Sequence, residues 1–142
     1  MSALTVAVPG IPVGQGRLSA VGRGRVVHSN AKALLPWREA IAWHTRQEMA
    51  AAGISEPLTG PLALTASFTL PRPKSAPKSR WAPDGRPDLS HLLRALEDAI
   101  TQSGLIVDDA QFVDQHPVKV YGPLPGVTFT VCPAERGEQA AA

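Results

Sequence analysis

The sequence predicts an α+β or mixed α/β fold: a single small domain with a β-sheet flanked by two main helices. Three observations carry this expectation. Apolar residues alternate strictly over 62–70, and they recur at helical spacing over 32–52 and 88–101. With 142 residues the chain can bury one core but not two ordinary ones. The segments run in the order two strands, helix, strand, basic loop, helix, strands, with no internal repeat.

Leu4-Thr5-Val6-Ala7-Val8 reads as the first strand, Pro9-Gly10-Ile11-Pro12 as a break and Gly14-Gln15-Gly16-Arg17 as a flexible turn. Arg25-Val26-Val27-His28 suggests a second strand. Arg17, Arg23 and Arg25 lie in this glycine-rich arm with no acid nearby, either as a solvated hairpin tip or as an arm that contacts phosphates. A first helix is expected from about Lys32 to Ala52, with Asn30 as N-cap and with Leu34, Trp37, Ile41 and His44 or Met49 along its apolar stripe. Arg38, Glu39, Arg46 and Gln47 can then face water. Pro36 is tolerable only in a first turn, so the helix should begin near Leu34 or Leu35.

Leu62, Leu64, Ala66, Phe68 and Leu70 share one face of the clearest strand. Residues 71–87 follow, with five prolines and five cations (Arg72, Lys74, Lys78, Arg80, Arg86) against Asp84, an extended basic loop. Such a loop is a merely soluble insertion or a functional one beside a site. Its Trp81 could stack on an unpaired base or anchor the loop to the core. From Asp88 to Thr101 a helix is expected, with Leu89, Leu92, Leu93, Leu96 and Ile100 buried and Gly104 ending it. The run 105–113 looks β-like, residues 118–121 continue it after Pro117, and 126–131 form a last strand.

Composition narrows the function classes. No apolar run approaches the roughly 20 residues that cross a bilayer, so no membrane partner is expected. The N-terminus lacks the basic start of a signal peptide, and the one cysteine, Cys132, cannot form an internal disulfide; a cytoplasmic protein is expected. His28, His44, His91 and His116 lack zinc spacing, and neither a phosphate-cradling glycine loop nor a Ser-His-Asp set is present, which argues against a nucleotide cofactor. Net charge is only +2, yet residues 1–86 carry eleven Lys or Arg against four acids while 87–142 carry three against eight. That polarity describes two solvated faces, or a phosphate-holding surface beside a cation-holding cluster.

The acids decide more than the net charge does. Asp88 opens a helix, where an aspartate ordinarily caps. Asp108-Asp109 is harder to explain as structure, because it sits between Leu105-Ile106-Val107 and Phe112-Val113, and carboxylates are costly in such a setting. A hard divalent cation would offset that cost. If the strand packs beside the helix, its acidic end returns to the helix N-terminus, and Asp88, Asp108 and Asp109 converge on one ion suited to phosphodiester hydrolysis. Adjacent strand residues point to opposite faces, so alternation alone does not decide which of Asp108 and Asp109 faces the ion.

The stretch Arg86-Pro87-Asp88-Leu89-Ser90-His91-Leu92-Leu93-Arg94 resembles the R-x-D-x-D-N-x-x-K helix start of RusA-type Holliday-junction resolvases. Asp98-Ala99-Ile100 resembles their D-A-L helix end, and Gly104-Leu105-Ile106-Val107-Asp108-Asp109-Ala110-Gln111-Phe112 their G-x-x-x-D-D-x-Q-V strand. The likeness is strong over 86–113 and keeps the same order over most of the chain. It implies a RusA-like domain over 1–133; residues 134–142 carry no pattern and are expected to form a flexible tail. It also implies a bacterial or phage-encoded homodimer that uses Mg²⁺ or Mn²⁺ to place paired nicks in four-way DNA junctions.

By that resemblance Asp88 and Asp109 are the essential carboxylates, Asp108 assists at the metal, and Arg94 stands where the family has a lysine near the scissile phosphate. Arg17, Arg23, Arg25, Arg72, Lys74, Lys78, Arg80 and Arg86 would hold DNA. Two positions depart from the pattern: Ser90 replaces an aspartate and His91 an asparagine. Serine is a poor anionic ligand, so Glu97, two turns along the helix, either supplies the missing charge or simply pairs with Arg94. The rival expectation is a catalytically weak or inactive protein that binds branched DNA with the same fold, and after it a small interaction module with structural carboxylates.

Overall fold

The strand with the clearest alternation, β4 (Leu62–Leu70), lies inside the sheet, with β6 (Gly126–Pro133) antiparallel on one side and β5 (Phe112–Tyr121) parallel on the other. β1 (Leu4–Pro9) pairs antiparallel with β6, so the strand order is β1-β6-β4-β5. This computed structural model describes residues 3–16, 18–21, 25–28 and 31–137. The fold is α+β: one mixed four-stranded sheet with two long helices, α1 (Ala31–Ala51) and α2 (Leu89–Ser103). No described helix is long and apolar enough to cross a membrane.

Period-2 patterning explains the core. Leu62, Leu64, Ala66, Phe68 and Leu70 are all buried, as are Leu4, Val6 and Val8 of β1 and Val127, Phe129 and Val131 of β6. The helices complete this layer with Leu34, Trp37 and Ile41 from α1 and Leu92, Ala95, Leu96, Ala99 and Ile100 from α2. Truncating a fully buried member such as Leu96 to alanine costs about 2–5 kcal/mol, because the cavity adds to the lost transfer energy. The core fixes α2 and, through it, both ends of the site.

Several expectations are corrected. α1 begins at Ala31, not near Leu34, so Pro36 lies inside the helix and leaves the Lys32 carbonyl without its helical donor. The buried stripe continues through Thr45, whose hydroxyl donates to the Ile41 carbonyl at 2.6 Å, while His44 is only partly covered. Leu18–Val21 forms a strand, β2, that pairs with β3 (Arg25–His28) as a separate hairpin sheet. Arg17, Arg23 and Asn30, with the side chain of Arg25, lie outside the described residues.

The run 105–113 is not one strand. Leu105 and Ile106 are buried plugs, a 3₁₀ turn spans Asp109–Gln111, and β5 starts only at Phe112. β5 then runs unbroken through Pro117, which an edge strand tolerates.

Candidate active site

One end of the site is built at the start of α2. Asp88 is the N-cap by position, with φ −65° and ψ 141°, yet its side chain makes no capping hydrogen bond. His91 approaches it, with Nδ1 3.8 Å from Asp88 Oδ2. Capping therefore does not account for this carboxylate, which stays more than half exposed.

Two segments hold the backbone around it. The Gln15 N–H donates to the His91 carbonyl at 3.0 Å, and Gly14 fits against α2 because a Cβ there would lie 3.0 Å from His91 Cβ and 3.2 Å from Pro87 Cβ. From β5, Lys119 Nζ donates to the carbonyls of Gly85 (2.6 Å) and Pro87 (2.8 Å). The segment expected to be a flexible turn is thus packed at Gly14 and Gln15, and Gln15 Oε1 is buried there without a hydrogen-bond partner.

The other end forms where α2 stops. Gly104 takes a left-handed conformation (φ 90°), which ends the helix and reverses the chain. Gln111 then fixes the acidic turn. Its Oε1 accepts from Val107 N–H (2.8 Å) and Asp108 N–H (3.1 Å), and its Nε2 donates to the Leu58 and Gly60 carbonyls, both at 3.0 Å. Asp108 caps the 3₁₀ turn by accepting from Ala110 N–H at 3.3 Å. Because this is a turn and not a strand, Asp108 and Asp109 come together instead of facing opposite ways.

α2 adds two more acids. Asp98, Asp108 and Asp109 line an open cleft of about 380 Å³ with Arg38, Thr101 and Gln102. Glu97 sits alongside and accepts from Gln115 Nε2 at 3.2 Å.

Crowding shows in the protonation of this group. Asp109 holds its proton above the usual aspartate range, first through a hydrogen bond with Asp108, then through burial and the charges of Asp108 and Asp98. Burial raises Glu97 foremost, with the charges of Asp109 and Asp98 adding to it, while the Gln115 hydrogen bond and Arg94 work in the opposite direction. No ion pair joins Glu97 to Arg94 among the described residues, so the simple pairing considered for Glu97 is not what holds it. Asp108 and Asp109 lie just past the C-terminal end of α2, where the helix dipole disfavours added negative charge.

Asp88 does not join them within one chain. It precedes Asp98 by ten residues on the same helix, which is about 15 Å along the axis. β5 runs back along α2, with Gln115 at Glu97 and Lys119 at Pro87, so the turn carrying Asp109 belongs to the far end. The expected return of the acidic turn to the helix N-terminus is corrected accordingly. Among the described residues, no group of three His, Cys, Asp or Glu side chains converges tightly enough to hold a metal. The donors are carboxylate oxygens, which suit a hard cation in kind.

A family model described as "Endodeoxyribonuclease RusA" matches residues 9–132. The chain belongs to the RusA family. No curated protein sequence matches it. RusA membership makes the chain a DNA endonuclease by family, and the match spans both ends of α2 as well as the strands that carry them.

The cations expected to hold DNA in this RusA-family chain divide by what they already touch. Arg72 is engaged internally: its guanidinium lies 5.5 Å from the Tyr121 ring centre and donates to the carbonyls of Pro77 and Arg80. Arg80 pairs with Asp84 at 3.3 Å. Lys74, Lys78 and Arg86 are exposed and make no ion pair among the described residues, and Arg94 and Ser90 are exposed along α2.

Sequence reasoning singled out neither Asp98, Gln111 nor Lys119, and it turned Arg38 toward water. Arg38 in fact lines the acidic cleft with its Nε buried and unpartnered. Two of these carried a legible signal: the Asp108-x-x-Gln111 spacing is a capping box, and Asp98 heads the motif at the helix end.

Proposed function

We propose that this RusA-family nuclease is a Mg²⁺- or Mn²⁺-dependent, structure-selective endonuclease that resolves four-way DNA junctions by paired nicks, acting as a two-fold homodimer. The observation that carries the reading is the division of acids between the two ends of α2. An uncapped Asp88 opens the helix, and a crowded Asp108–Asp109 pair lies beyond its other end, next to Asp98, which is about 15 Å along the axis from Asp88. A second copy set antiparallel along the β5 side brings the partner's Asp88 to Asp109 and, by symmetry, does the same at a second site.

Two further features support that arrangement. β5 is an edge strand that exposes Val113 (65%), Val118 (38%) and Val120 (39%), an edge of the kind that folded proteins cover. The ends are also complementary in charge: the helix N-terminus with Lys119 and Arg86 at one, and Glu97, Asp98, Asp108 and Asp109 at the other.

In this reading Asp109, Asp108 and the partner's Asp88 hold the cation. A divalent ion bound there would activate a water and offset charge on the phosphate. The residues of the chain supply the rest. Gln111 fixes the carboxylate pair, Glu97 adds negative charge in place of the aspartate that Ser90 replaces, and Arg94 steadies the phosphate. Lys74, Lys78 and Arg86 hold the flanking backbone. A labelled four-way junction incubated with Mg²⁺ and wild type, Asp88→Asn or Asp109→Asn protein tests the proposal. Wild type should give symmetric nicks and each variant should give none. Junction binding by wild type without nicks would instead mark a catalytically silent branched-DNA binder.

A further inference from the structure

The 71–87 loop holds its most apolar side chain in water: Trp81 is 87% exposed. Slack in the loop does not explain this. Arg72, stacked on Tyr121, ties down the carbonyls of Pro77 and Arg80 on one side of Trp81. Lys119 ties down those of Gly85 and Pro87 on the other. Between these anchors, Arg80 N–H donates to the Pro77 carbonyl at 3.0 Å and Asp84 N–H to the Ala82 carbonyl at 2.9 Å. Asp84, the one acid of the loop, is matched with Arg80, while Lys74, Lys78 and Arg86 of the same loop are exposed and make no ion pair among the described residues.

A braced aromatic face on a loop that also carries exposed cations suits a nucleic-acid base whose own stacking partner has been removed. The indole supplies a π-face that accepts any base, the cations hold the phosphates on either side, and a loop already fixed loses little freedom on binding. Linear duplex offers no such base, whereas the strand-exchange point of a branched molecule does. We propose that Trp81 stacks on a base exposed at the strand-exchange point of branched DNA, with Lys74, Lys78 and Arg86 on the adjoining phosphates. The inference rests on the branched-DNA reading above and adds a residue that selects branched over linear substrate.

The test uses a four-way junction with 2-aminopurine at the exchange point and a linear duplex of the same sequence, without divalent cation. Wild type should prefer the junction and change the 2-aminopurine fluorescence. Trp81→Ala should bind the junction roughly 5- to 100-fold more weakly without that change. Its duplex affinity and thermal midpoint should stay at wild-type values, because the indole packs on nothing. Trp81→Phe should recover most of the signal. A Trp81→Ala protein with wild-type junction affinity and fluorescence response overturns the stacking role alone, as does an equal loss on junction and duplex. A wild-type protein with no preference for the junction overturns the branched-DNA reading and this inference together.

Discussion

The two ends of α2 handle charge in opposite ways. At its start, one aspartate sits at the positive end of the dipole, in the best position to cap, and does not. Toward the other end, Glu97, Asp98, Asp108 and Asp109 crowd together, and Asp109 and Glu97 keep their protons above the usual range. A chain arranged for stability alone would do the reverse. Local rules broken at two related places are the mark of residues kept for function and not for stability.

The largest effects should come from removing one carboxylate from either end. Asp109→Asn should lower junction nicking on the order of 100-fold or more, while its thermal midpoint stays equal or rises because a source of repulsion is gone. A clear fall in the midpoint would mean that Asp109 serves the fold.

Next is pH. Asp109 and Glu97 have raised folded-state values, so the folded protein binds protons more tightly than the unfolded chain. Their contribution to stability is then fully present below the ordinary carboxylate values and is lost as pH rises from there through the raised folded values. Nicking should rise through that same window as the ligands ionise. Asp108→Asn removes the main cause of the Asp109 shift and should move the inflection to lower pH, whatever its effect on the maximum rate. An unmoved inflection would detach the pH profile from this pair.

A smaller effect is expected of Glu97→Gln, which should raise the Mg²⁺ concentration for half-maximal nicking about tenfold. An unchanged titration would leave Glu97 as a neighbour only. Gly14→Ala should be the mildest, costing about 1–3 kcal/mol of stability through its contacts with His91 and Pro87, read as a lower thermal midpoint.

Much of the scaffold was legible in the sequence because one rule governs it. The alternation at Leu62–Leu70 and the stripe through Leu92, Leu96 and Ile100 each have a single apolar face, and burial follows that face. The region 105–111 obeyed no such rule. Leu105-Ile106-Val107 has strand-like residues, but Gln111 takes the backbone donors of Val107 and Asp108 and turns the chain instead.

The acids themselves were legible and their convergence was not. Strand-like residues at 105–107 suggested an extended return, whereas Leu105 and Ile106 are buried where α2 stops and Asp108 and Asp109 stay beside Thr101 and Gln102. Arg38 was hidden for another reason. Helical spacing put it beside the apolar stripe, and only the packing of α1 against α2 shows that it faces acids and not water.

Mixing the two inactive variants tests the shared site most directly. Asp88→Asn and Asp109→Asn proteins, each inactive alone, would be combined, allowed to exchange subunits and incubated with a four-way junction and Mg²⁺. If the ends meet across a two-fold axis, each mixed dimer holds one intact site, and single nicks return without paired resolution. If the mixture stays as inactive as its components while subunit exchange is shown to occur, the ends do not complete one another, and the site described here is wrong.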